Sequence, residues 1–186
     1  NLKQDGKKII GYREALVLPK KPKKMVIVGS GAIGVEFAYF YKSMGTDVTI
    51  VEFMPNIVPN EDKDISIQLN KSFKKLGINV LTKSSVEKVD FDKNNDCIVS
   101  IKNESGIEKI NCDIVLSAVG VESNIENIGL EEVGINTENK KIIVDDYYQT
   151  NIPGYFAIGD VLKTQALAHV ASAEGIICVE KIAGHD

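Results

Sequence analysis

Four residues have the types and the spacing that chemistry needs: Gly29, Gly31, Gly34 and Glu52. The glycines stand in the run Gly29-Ser30-Gly31-Ala32-Ile33-Gly34, and the acid follows at about 20 residues' distance. Glycines so spaced permit a tight turn, leave the backbone open to a pyrophosphate, and let a helix pack closely. The first N–H groups of that helix carry about half a positive charge and favour an anion. An acid at the end of the next strand suits ribose hydroxyls and repels a 2′-phosphate. Phe53, Met54 and Pro55 after it are not basic. The expectation is therefore a site for NAD(H) rather than NADP(H).

The flanking elements must hold these residues in place. Met25–Val28 is apolar and β-branched, as a buried strand is, and a helix runs from the glycine turn toward Gly45. Ile33, Phe37, Phe40 and Met44 are expected on its core face. Asp47–Glu52 is a second strand. Asn60 or Glu61 starts a helix with Ile65, Leu69, Phe73 and Leu76 inward and Gly77 as its stop, before a third strand at 78–81. Right-handed crossovers put these strands parallel in the order 3-2-1. The period then changes to two. Ser85–Phe91, Cys97–Ile101 and Ile107–Ile110, separated by turn residues, read as an inserted antiparallel meander. Ile114–Gly120 is a buried strand rejoining the sheet beside the first, with Gly120 at its carboxyl end. The fold class is α/β and Rossmann-like.

The rest of the chain is less regular. A connector over 1–24 carries a short helix near Tyr12–Leu18. After the dinucleotide domain at 25–120, a segment at 121–186 is expected to hold a helix at Asn124–Leu130. Strands at Ile142–Val144 and Tyr155–Ile158 follow, then an amphipathic helix at Ala166–Ala183 with Val170, Ala173, Ile177 and Ile182 apolar.

The 186-residue chain carries a formal charge of −4 and is 44% hydrophobic, enough for a packed core. That charge argues against a nucleic-acid partner. Lys20, Lys21, Lys23 and Lys24 around Pro19 and Pro22 read as a solvated connector. No apolar segment approaches the roughly 20 residues of a membrane helix. No secretory leader is visible. Cys97, Cys112 and Cys178 are odd in number and widely spaced. They read as buried free thiols in a reducing, cytoplasmic setting, not as a metal site or local redox pair. His169 and His185 are too few for a metal cluster, and no metal is expected.

Four stretches together resemble the central part of the pyridine nucleotide–disulfide oxidoreductase family: Gly29–Glu36; the strand end at Glu52; Thr150-Asn151-Ile152-Pro153-Gly154-Tyr155-Phe156-Ala157-Ile158-Gly159-Asp160; and Leu167-Ala168-His169-Val170-Ala171-Ser172-Ala173-Glu174-Gly175. The resemblance implies that Gly29, Ser30, Gly31, Ala32, Ile33, Gly34, Glu36, Glu52, Val86 and Gly120 line an NAD site. Val86 would meet adenine through its backbone, and Glu36 would lie near the nicotinamide. It also implies a partial FAD site, with Asp160 on the ribityl chain and Ala166, Leu167, Ala168 and His169 meeting the flavin mainly through backbone groups. His169 is not expected to be catalytic. One departure is visible: many members carry Arg then Pro-Asn after the fourth strand, where this chain has Val121, Glu122 and Ser123 before Asn124.

In the branch most resembled, electrons pass from a dihydrolipoyl dithiol to a protein disulfide, to FAD and to NAD+. The dithiols belong to 2-oxoacid dehydrogenase or glycine cleavage complexes, and the enzyme is a homodimer. The redox cysteines would lie upstream of this sequence and the histidine–glutamate base downstream. The segment alone is thus expected to be catalytically incomplete, with weak NADH binding and poor FAD affinity. The alternatives are a sibling flavoprotein (NADH oxidase, mercuric reductase or transhydrogenase) or a non-catalytic NAD(H)-binding redox sensor.

Overall fold

A computed structural model describes residues 2–185, which divide into two compact units, Asn1–Gly120 and Val121–Asp186. The strands of the first unit are β1 (Ile9–Ile10), β2 (Lys24–Val28), β3 (Asp47–Val51), β4 (Asn79–Leu81), β5 (Ser85–Phe91), β6 (Cys97–Asn103), β7 (Gly106–Cys112) and β8 (Ile114–Ser117). Five of them form a parallel sheet in the order β1-β8-β2-β3-β4. The 3-2-1 order with a fourth strand beside the first is as the spacing predicts. Ile9 and Ile10, inside the stretch read as a connector, pair with Val115 and Leu116 and add a fifth strand.

Successive side chains on a strand face opposite sides, so a sheet buried on both faces reads as continuously apolar. Met25, Ile27, Val48, Ile50 and Leu116 pack under the helices α1 (Tyr12–Leu16), α2 (Ala32–Ser43) and α3 (Lys63–Leu76). Val26, Val51 and Val115 face the other way, onto Cys97, Val99, Ile101 and Cys112 of the meander. The antiparallel β5-β6-β7 sheet therefore covers one face of the parallel sheet, as a helical layer does elsewhere.

Of the residues expected on the helix core faces, Ile33, Phe37, Leu69 and Phe73 meet the core and Phe40, Met44, Ile65 and Leu76 do not. In α2 the buried residues are Gly34, Ala38 and Tyr41, while Phe40 and Met44 are about half exposed. In α3 they are Ser66 and Phe73, with Ile65 and Leu76 exposed. The most buried positions mix small residues, Gly34, Ala38 and Ser66, with the large Tyr41 and Phe73, while Ile33, Phe37 and Leu69 pack beside them.

The second unit contains α4 (Leu130–Val133), the antiparallel pair β9 (Thr137–Glu138) and β10 (Lys141–Ile142), a 3₁₀ turn at Gly159–Val161, and α5 (Ala168–Ile182). Ile125, Leu130, Ile142 and Leu162 form its core. The helix expected at Asn124–Leu130 starts only at Leu130, because Asn127 and Gly129 take left-handed backbone angles. The strand expected at Tyr155–Ile158 is reduced to one bridge between Gln149 and Phe156, set between turns at Gly154 and Gly159. The strand expected at Ile142–Val144 ends at Ile142. The last helix buries Glu174 and Cys178, while Ile177 and Ile182 are exposed.

Candidate functional site

A cleft of about 640 Å³ opens at the carboxyl ends of β2, β3 and β8. Gly29–Gly31 follow β2, Glu52 and Phe53 follow β3, and Ala118–Gly120 follow β8; Pro59, Asn60 and Ser84–Val86 line its sides. The strand order reverses between β2 and β8, the place where open α/β sheets bind ligands.

The three glycines are there for three reasons. Gly29 has φ +99, and a Cβ on it would lie 2.4 Å from the Ala118 carbonyl oxygen. A Cβ on Gly34 would lie 2.1 Å from the Gly29 carbonyl oxygen. The close packing expected at Gly34 is thus against its own turn. Gly31 has an ordinary backbone, φ −66, and a Cβ there would meet no protein atom within 4 Å. The fold requires glycine at 29 and 34. At 31 a bare Cα only leaves the cleft open.

Gly31 is also the N-cap of α2, with no capping side chain and no acid in the first turn. In α3, by contrast, the Asp62 carboxylate accepts from the Asp64 N–H. Among the described residues, no acidic side chain caps α2 or stands in its first turn, so its first N–H donors and partial positive charge remain for a ligand. A cradle that a Cβ would fill, at an uncapped helix start, fits a pyrophosphate.

Glu52 is only 7% exposed. Its Oε2 accepts the Ser30 N–H at 2.8 Å and the Ser30 hydroxyl at 2.6 Å, and its Oε1 accepts the Met54 N–H at 2.7 Å. A carboxylate has about four acceptor positions. Three are used in bracing the turn, a task the sequence reading did not assign to it. Among the described residues that line the cleft, Glu52 is also the one charged side chain.

Of the residues expected at the NAD site, Gly29, Ser30, Gly31, Glu52, Val86 and Gly120 come together in this cleft. Ala32, Ile33, Gly34 and Glu36 do not line it. Ile33 packs against the core, Gly34 abuts Gly29, and Glu36 is exposed one turn into α2. The sequence reading missed Pro59, Asn60, Ser84, Ser85 and Val119. A faint signal for the Ser84–Val86 wall was the break in alternation at Glu87-Lys88, where the ladder shifts register between Val86 and Lys88.

In the second unit Asp160 is exposed on the 3₁₀ turn. Its carbonyl accepts from the Ser123 hydroxyl at 2.6 Å and the Lys141 ammonium at 2.7 Å. Ala166, Leu167, Ala168 and His169 are exposed around the start of α5. Glu174, a residue sequence reasoning gave no role, is buried beneath the turn and accepts the Gly159 N–H at 2.6 Å.

The three cysteines are free and buried. Distant in sequence, Cys97 and Cys112 are directly opposite on β6 and β7. A hydrogen bond with the Cys97 sulfur, together with burial, pushes the Cys112 thiol far up.

The model of the pyridine nucleotide-disulphide oxidoreductases matches residues 1–175. The chain belongs to this family. Among other members, the dihydrolipoyl dehydrogenase of Rhizobium etli is 45% identical over 183 residues, covering 98% of this chain and 38% of that protein. The dihydrolipoyl dehydrogenase of Chlorobaculum tepidum is likewise 45% identical, over 98% of this chain and 39% of its own length. Among solved structures of the oxidoreductases, LpdA of Mycobacterium tuberculosis matches with a TM-score of 0.88 at 28% identity, over 99% of this chain and 39% of its own. The HOCl-induced flavoprotein disulfide reductase RclA of Escherichia coli matches with a TM-score of 0.86 at 25% identity, over 99% and 41%. The chain thus spans about two fifths of the length of these oxidoreductases.

Proposed function

We propose that the chain supplies the NAD(H)-binding part of a flavoprotein disulfide oxidoreductase of the dihydrolipoyl dehydrogenase type. One observation carries the cofactor assignment: Gly31, bare without any need of the fold, shares a cleft with Glu52, the sole charged side chain among the described residues lining it. The N–H groups at the start of α2 would hold the pyrophosphate, with Gly31 letting it approach. The unused acceptor position of Glu52 would take a ribose hydroxyl, and its negative charge would disfavour a 2′-phosphate. Val86 and Gly120, which line the same cleft, would bound the two ends of the dinucleotide, and Glu36 would lie toward the nicotinamide. When bound, NAD+ supplies a hydride acceptor, and these residues hold it and exclude its phosphorylated counterpart.

In the second unit, Asp160 and Ala166–His169 would form one wall of an FAD site, with Glu174 holding the Gly159–Asp160 turn from below. The intact protein would act in the cytoplasm as a homodimer, oxidising dihydrolipoyl groups of 2-oxoacid dehydrogenase or glycine cleavage complexes. This segment alone would be catalytically incomplete. The likeness to dihydrolipoyl dehydrogenases over nearly the whole chain supports this branch over the sibling flavoproteins.

Titration of the chain with NADH and NADPH, followed by nucleotide fluorescence, tests the assignment. Preferential NADH binding is expected, and equal affinities would overturn it. Lipoamide-dependent NADH production by the intact protein tests the branch.

A further inference from the structure

We infer that Ser30 is a positioning residue that sets the nucleotide preference of the cleft by fixing the Glu52 carboxylate, an inference that rests on the NAD(H) reading above. Ser30 is wholly buried, at 0% exposure. Each of its polar groups is engaged by the protein. The N–H and the hydroxyl both donate to Glu52 Oε2, at 2.8 and 2.6 Å. The carbonyl accepts the Val58 N–H at 2.9 Å. Val58 makes that bond from a left-handed backbone, φ +41, which a β-branched residue rarely adopts. Ser30 is therefore gripped by two segments, and both its donors are committed to Glu52.

The consequence falls on Glu52. Oε2 is doubly occupied and turned to the loop, so the carboxylate cannot swing about its terminal bond. Oε1 carries only the Met54 N–H and keeps acceptor capacity. A ribose hydroxyl can donate to that capacity. A 2′-phosphate meets a negative charge held in place by three hydrogen bonds. Without the Ser30 hydroxyl, Oε2 loses the shorter of its two bonds. The carboxylate is then held by the Ser30 and Met54 N–H groups alone, so it is less tightly fixed, holds the ribose less well and rejects the phosphate less strictly.

The test is the ratio of the NADPH to the NADH dissociation constant, measured with melting temperature in the parent chain and in Ser30→Ala, Ser30→Cys and Ser30→Thr. In Ser30→Ala, NADH binding should weaken about tenfold while NADPH binding holds or improves, so the ratio falls about tenfold or more. Ser30→Thr keeps the hydroxyl and should keep the parent ratio. Ser30→Cys, a weak donor of similar size, should lie between and serves where Ser30→Ala does not fold. Loss of both affinities in parallel would show mere damage to the loop and overturn the inference, as would an unchanged ratio in Ser30→Ala and Ser30→Cys. A parent chain without NADH preference would instead overturn the NAD(H) reading, and this inference with it.

Discussion

A Cβ on Gly34 would lie 2.1 Å from the carbonyl oxygen of Gly29, well inside contact distance. The first turn of α2 is thus pressed against the turn that leads into it, and neither backbone can yield alone. Gly34→Ala is expected to lower the unfolding free energy by about 1–3 kcal/mol or more, the cost of overpacking. Urea denaturation measures this, and a variant as stable as the parent would contradict the packing described.

Glu52 serves the fold as well as the ligand. Glu52→Ala should weaken NADH binding by on the order of 1.5–3 kcal/mol, the range for hydrogen bonds to a charged group. It should also lower stability by about 1–3 kcal/mol, since the buried Ser30 donors lose their acceptor. Calorimetric titration and thermal unfolding separate the two. Unchanged binding would remove the ribose role, and unchanged stability would remove the bracing role.

The same residue shows what the sequence made legible. The motif, the strand order and the meander could be read because each has its own periodicity and punctuation. The second task of Glu52 could not, because it depends on the sheet setting the ends of β2 and β3 side by side, with Ser30 against Glu52. The helix faces were legible only in part: Ile33, Phe37, Leu69 and Phe73 could be read as core-facing, but the buried Gly34, Ala38 and Ser66 could not, because hydrophobicity does not mark small residues. In the second unit, the left-handed Asn127 broke an otherwise plausible helix. Asn tolerates that conformation without announcing it.

The thiols should be inert in the folded chain. Burial is what protects them: Cys97 and Cys112 are enclosed between the two sheets and Cys178 is buried in the second unit, while the hydrogen bond between Cys97 and Cys112 raises the Cys112 thiol and lowers that of Cys97. Thiol titration with a chromogenic disulfide near neutral pH should detect almost no reaction natively and all three cysteines after unfolding in guanidinium. Rapid labelling of the native protein would contradict this.

Asp5 gives the first unit an acid-sensitive anchor for β1. Burial alone would push its carboxyl up, but the N–H groups of Lys7, Ile9 and Lys8 outweigh that and hold it below the usual range. Those three bonds are 2.8, 2.9 and 2.8 Å long. A carboxyl lowered in the folded state adds stability above its unfolded pKa of about 3.9, lost as pH falls through the lower folded value. Urea midpoints at about pH 7 and about pH 3 should therefore differ less in Asp5→Ala than in the parent. An equal difference in the two would count against the anchor.

The most direct measurement concerns Gly31, where glycine is dispensable to the fold. Its backbone suits alanine, and the added Cβ meets no protein atom. Gains in chain entropy and losses at the helix cap should leave the stability of Gly31→Ala within about 1 kcal/mol of the parent. Calorimetric titration with NADH should nonetheless show binding at least about tenfold weaker, because the methyl occupies the path of the pyrophosphate. A stable Gly31→Ala chain that binds NADH as the parent does would contradict the account.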